Sequence, residues 1–65
     1  MPNFLTRRQR TIVILVAEGR RNQEIAAALG LSVGTVKAHL ALLYRLLGLP
    51  GREALAFYAL EHRLV

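Results

Sequence analysis

Acid–base or nucleophilic chemistry has little to work with in this chain. Its four carboxylates, Glu18, Glu24, Glu53 and Glu61, and its two histidines, His39 and His62, stand apart, and it has no cysteine. No carboxylate pair, no nucleophile beside an orienting base and no phosphate-cradling glycine motif occurs at a recognisable spacing, so an enzyme is not expected. Two distant histidines do not make a closed metal site, and no cofactor is implied. What the residues offer is cationic chemistry. Nine Lys and Arg against four Glu give a net charge of +5, with one cluster at Arg7, Arg8 and Arg10 and another at Arg20 and Arg21. Uneven basic charge suits a polyanionic partner. It equally suits the solubilisation of a small apolar domain, and charge alone does not decide.

The elements that position these charges must belong to one domain, residues 1–65, because a chain of 65 residues holds no more. Such a short chain buries a thin core and relies on helix packing, helped by a partner where one exists. More than half of the residues are apolar, so disorder is not expected. The run Ile12–Ala17 is too short to span a bilayer, and Met1–Arg10 does not resemble a signal peptide. A soluble, cytoplasmic protein is expected.

The pattern predicts an all-α, compact four-helix domain. Helix one covers about Thr6–Glu18, with Thr6 and Gln9 forming a capping box, Ile12, Val13, Val16 and Ala17 inward, and Gly19 as the stop. Helix two covers about Asn22–Leu29, capped by Asn22, with Ile25, Ala26 and Leu29 inward. Gly30 supplies a left-handed turn. Helix three runs from the cap Ser32 to about Leu47, burying Val36, Leu40, Leu43 and Leu47. After Gly48, Pro50 and Gly51, helix four covers about Arg52–Arg63, with Leu55, Tyr58, Ala59 and Leu60 available for packing.

The informative segment is 22–40, NQEIAAALGLSVGTVKAHL. A connection of three residues, Gly30-Leu31-Ser32, forces a steep crossing, so the helices touch only where side chains are small. Ala26 and Ala27 supply that surface, and Leu31 plugs the corner. An ordinary helical hairpin is the plain alternative, but the combined pattern favours a helix-turn-helix over about 22–47. With Val36, Leu40 and Leu43 inward, Thr35, Lys37, Ala38 and Ala41 turn outward. Lys37 is suited to guanine O6 or N7, and Ala38 or Ala41 to a thymine methyl. N–H groups near Ser32–Thr35 suit a phosphate. The arginines of helix one's first turn, and Arg20 and Arg21 before helix two, oppose the helix dipoles, a broken local rule that a phosphate would reverse.

On these residues the chain resembles the LuxR-type helix-turn-helix family, the output domain of many bacterial response regulators and quorum sensors. The resemblance runs through Leu5-Thr6-x-Arg8, Ala17-Glu18-Gly19, Asn22-Gln23-Glu24-Ile25-Ala26 and Leu29–Leu40. It continues through Leu47-Gly48-Leu49, Arg52 and Tyr58-Ala59-Leu60. It implies a third helix that reads double-stranded DNA and a fourth that often forms a homodimer contact. Carried over, it implies a base contact at Lys37; Ala38 and Ala41, turned outward beside it, are the further base-contact candidates from helical geometry. Phosphate contacts are implied at Asn22 and Thr35, with Arg8, Arg21, Ser32 and His39 as further candidates. Ala56, Ala59 and Leu60 are the expected dimer surface, and a bacterial regulator at the nucleoid is the expected setting.

The match departs in places. Gln9 stands for the usual Glu, and Arg21 for the usual Ser or Thr, which removes a capping box from helix two. Ala41 stands where relatives often carry a polar or basic reader, and Leu42 and Leu46 replace the common Asn and Lys. Base readout is thereby left largely to Lys37, so modest specificity is expected, raised by a two-fold site or by DNA shape. Leu42 and Leu46 are expected under helix one or four, or else as an exposed surface for a protein partner. Two rivals follow: region 4 of a sigma factor, whose Ser-Val-Gly-Thr-Val-Lys stretch is similar, and a protein-interaction module that kept the fold. Relatives usually carry a sensor domain upstream, so the chain is expected to be either an orphan output domain or an excised one.

Overall fold

The computed structural model describes residues 5–65, so the expected domain extends four residues beyond the described ones. Four helices follow one another: α1 (Arg7–Ala17), α2 (Asn22–Leu29), α3 (Val33–Leu47) and α4 (Arg52–Glu61). Each lies within two residues of its expected span. Among the described residues there is no strand, and no single helix is long and apolar enough to cross a membrane.

Local chemistry sets the starts. The Gln9 N–H donates to Thr6 Oγ1 at 3.0 Å, and the Thr6 N–H donates to Gln9 Oε1 at 2.8 Å. Two N–H groups that the helix leaves orphaned are thus satisfied reciprocally. α3 is capped by Ser32, whose Oγ accepts from the Thr35 N–H at 3.1 Å. α2 differs from expectation. Its N-cap is Arg21, not Asn22, which is already helical. Half of a capping box survives there, because Glu24 Oε1 accepts from the Arg21 N–H at 2.8 Å. Arginine carries only donors, so the other half cannot form.

Gly30 and Gly48 close α2 and α3 in the left-handed conformation, at φ +69° and +67°. After Gly30, the Leu31 N–H returns to the Ala26 carbonyl at 2.9 Å and turns the chain sharply. The axes of α2 and α3 are consequently bent by 106°, within the usual range for a helix-turn-helix.

The core draws on every helix. Ile12, Val13 and Val16 of α1 meet Leu55 and Ala59 of α4, while Ile25 and Ala26 of α2 meet Val36, Leu40 and Leu43 of α3. Leu5, ahead of α1, is also buried, although it precedes the helical pattern that marks the other core positions. Other expectations are corrected. Ala26 is buried at the crossing, but Ala27 is exposed, being one residue, or 100°, further around the helix. Leu42 and Leu46 pack under no helix, with 44% and 48% of their surface exposed. Leu60 faces outward, whereas Ala59 is wholly buried between α4 and α1 and has no surface left for a dimer partner.

Candidate nucleic-acid interface

Helical periodicity divides α3 into two faces. Val36, Leu40 and Leu43 are buried, and on the opposite face Gly34, Ala38, Ala41 and Arg45 are exposed, flanked by Lys37 on one side and Thr35 and Leu42 on the other. Ahead of Arg45, the centre line of the outer face carries a glycine and two alanines, so the N-terminal part of the helix can approach a surface closely while longer side chains reach past it. Fifteen residues make a rod about 22 Å long, and the B-DNA major groove is about 12 Å wide, enough for one helix. No acidic residue lies between Gly30 and Gly51, a stretch that holds Lys37, His39 and Arg45. A polyanion therefore meets no local repulsion along α3.

The start of α3 is organised as a donor site. Ser32 Oγ donates to Thr35 Oγ1 at 2.9 Å while accepting the Thr35 N–H. The Ser32 hydroxyl is thereby committed to the cap, and the Thr35 hydroxyl keeps its own proton to donate outward. The N–H groups of Val33 and Gly34, in the first turn, have no intrahelical acceptor and lie at the positive end of the dipole. His39 is half-buried beside Leu42, Ala38 and Thr35 around a shallow depression of about 210 Å³.

A second cationic region lies at the start of α2. Gly19, Arg20, Arg21, Asn22, Gln23 and Arg52 surround a depression of about 360 Å³. Arg20 and Arg21 are exposed, and Arg20 is only loosely paired with Glu18 at 3.9 Å, a contact of little worth in water. Asn22 is half-buried, and its Oδ1 accepts from Arg52 Nη1 at 2.8 Å. In α1, Arg7 and Arg8 are exposed in a first turn without an acidic residue. Arg10 is half-buried, and its Nε has no hydrogen-bond partner.

On α4, Glu53, Ala56, Phe57 and Leu60 share the outward face around a shallow apolar depression of about 310 Å³. Phe57 is 66% exposed and Leu60 61%. Phe57 was missed in the sequence, although its spacing offered a signal: residues 53, 57 and 60 share one helical face, opposite the inward Leu55 and Ala59. Arg52 was matched to the family but given no role, because no local pattern marks a contact that spans thirty positions.

Two helices bent by 106° across a glycine turn, with an outward, acid-free face on the second, define a helix-turn-helix DNA-binding domain. Comparison with known proteins agrees. The family described as bacterial regulatory proteins, luxR family, matches residues 3–59, and the chain belongs to it. The YhjB protein of Escherichia coli (strain K12), named as an HTH-type transcriptional regulator, is 50% identical over 52 residues, 80% of this chain and 26% of that protein. Response regulator protein VraR of Staphylococcus aureus (strain NCTC 8325 / PS 47) is 38% identical over 62 residues, 95% of this chain and 30% of that protein. The chain thus spans between a quarter and a third of the length of these curated relatives.

Proposed function

We propose that this chain is the DNA-reading module of a bacterial transcription regulator and that it sets α3 into the major groove of a duplex. The observation that carries the reading is the division of α3 into a buried aliphatic stripe and an acid-free outer face with small residues along its centre. Lys37 donates to a guanine edge, while Ala38 and Ala41 lie against base edges. The Thr35 hydroxyl, the first-turn N–H groups after Ser32, the Asn22 amide, Arg8, Arg21 and His39 face the phosphates. A contact from Ser32 goes through its backbone N–H, because its hydroxyl is held by Thr35.

A homodimer on a two-fold site completes the reading. One lysine discriminates weakly, and two half-sites supply what one helix lacks. Ala56, Phe57 and Leu60 form the contact, and Ala59 supports it from beneath. Such a regulator works on the chromosome in the cytoplasm. A second reading draws on the exposure of Leu42 and Leu46: the outer end of α3 receives a protein partner.

Titration of a labelled mixed-sequence duplex by fluorescence anisotropy across a salt series tests the primary reading. Affinity is expected to fall linearly in log–log form with a slope of several charges. Absence of binding at low salt rejects DNA as the ligand and leaves the Leu42–Leu46 surface as the reading to pursue.

A further inference from the structure

The loop before α2 is fastened by a residue from the far end of the chain. Arg52, the first residue of α4, donates from Nη1 to Asn22 Oδ1 at 2.8 Å and from Nη2 to the Arg20 carbonyl. The fastening adds to what Glu24 supplies at α2, because the N-cap Arg21 has no side-chain acceptor for the first-turn N–H groups. Both bonds come from one planar fork, which fixes the Asn22 side chain and the backbone at Arg20 relative to each other.

The direction of the first bond sets the orientation of the Asn22 amide. Arginine offers only donors, so the atom facing it must be the amide oxygen. The amide is planar, and its Nδ2 with two protons therefore points away from Arg52. With its oxygen engaged by Arg52, the group Asn22 has left for a ligand is the Nδ2 donor, which suits a phosphate oxygen, whereas a free amide oxygen would repel it. Arg20, Arg21 and Arg52 surround the same depression, so the donors are presented in a cationic setting.

We infer that Arg52 is a positioning residue for DNA binding: it locks the Asn22 amide against the Arg20 backbone so that Asn22 offers its Nδ2 donor, and not its oxygen, to a backbone phosphate. The inference rests on the proposed DNA-binding function. It assigns to α4 a part in DNA contact that is separate from any dimer contact, since Arg52 acts within its own chain.

The test is a double-mutant cycle on the 65-residue chain with one labelled duplex at fixed salt. Binding is read by anisotropy at a temperature where circular dichroism shows each variant folded. Arg52→Gln and Asn22→Ala are each expected to weaken binding about five- to ten-fold. The double variant is expected to be within about two-fold of the weaker single one. Arg52→Lys keeps the charge but not the fork, and is expected to stay well below the unmutated affinity. Losses that multiply in the double variant overturn the inference, because Arg52 then does not act through Asn22. Full recovery by lysine overturns it too, since charge alone would suffice. A further measurement needs no variant: the side-chain amide resonances of Asn22 are expected to shift when duplex is added, and unmoved resonances overturn the inference. Failure of the unmutated chain to bind any duplex at low salt overturns the DNA-binding reading and this inference together. Binding with multiplying losses overturns the inference alone.

Discussion

Val36 and Lys37 are neighbours in sequence and face in different directions: the valine is fully buried and the lysine is exposed. One position therefore supports the fold and the next is free to contact a ligand, so their substitutions should separate cleanly. Lys37→Ala is expected to weaken duplex binding about ten-fold or more and to shift stability by less than about 0.5 kcal/mol. Val36→Ala removes two methyl groups from a packed site and is expected to destabilise by about 2 kcal/mol. Anisotropy and thermal unfolding followed by circular dichroism check the two halves; a Lys37→Ala variant that binds unchanged removes the lysine from the interface.

The α1 cap contains a neutral residue where a charge would do more. Gln9 accepts from the Thr6 N–H, in a first turn that holds Arg7, Arg8 and no acid. Gln9→Glu is expected to make that bond charge-assisted and to interact favourably with the positive end of the dipole, stabilising by about 0.5–1 kcal/mol at low salt, with the gain shrinking as salt rises. Thr6→Ala is expected to destabilise by about 1 kcal/mol. Denaturant unfolding at two salt concentrations measures both.

Gly30 isolates a backbone effect. A Cβ added there meets nothing within 4 Å, yet φ is +69°. Gly30→Ala is accordingly expected to destabilise by about 1 kcal/mol through conformation alone, and Gly30→Asn by less, because Asn tolerates the left-handed region better. Equal losses in the two variants would point to a steric cause instead.

Phe57 and Leu60 are exposed in the single chain, so charge placed there need not disturb the fold. Phe57→Glu and Leu60→Glu are expected to leave the unfolding midpoint nearly unchanged and to abolish paired occupancy of a two-fold site, as seen by sedimentation of the protein–DNA complex. Ala59→Glu would bury a charge and is expected to unfold the domain. A wild-type chain that occupies a two-fold site only singly would remove α4 from the role of dimer contact.

Tyr58 gives a pH dependence with a definite sign. Burial raises its pKa above the ordinary tyrosine value, so the folded chain holds the proton more tightly than the unfolded one. The stability contributed is fully present below the unfolded pKa, near 10, and is lost as pH rises through the folded one. Tyr58→Phe is expected to flatten the alkaline loss, checked by unfolding at pH 8 and at pH values above about 10.

Most of the fold was legible because its signals are local. Thr6 and Ser32 before apolar runs, Gly30 and Gly48 after them, and aliphatic residues at spacings of three and four set the helix ends and the inner faces. The outward placement of Lys37, Ala38 and Ala41 followed from the buried stripe on the same helix. What was not legible depends on distant partners. Asn22 has the composition of a cap, but Arg52 engages its oxygen and the cap falls to Arg21. Ala56 and Ala59 look alike as residues, and only the approach of α1 decides that Ala59 is covered. Leu42 and Leu46 read as candidates for burial by hydropathy, yet no helix passes over them.

The core described above is thin, built from a few aliphatic side chains contributed by four short helices. A domain of this size holds only a small margin over its unfolded state, so a bound ligand is a large fraction of the total. Free duplex sites at a hundred times the dissociation constant add about 2.7 kcal/mol to that margin. Molecules on DNA then unfold far more rarely than free ones and outlast them wherever proteases clear unfolded chains. Turnover would itself sharpen the contrast between occupied and idle copies of the domain.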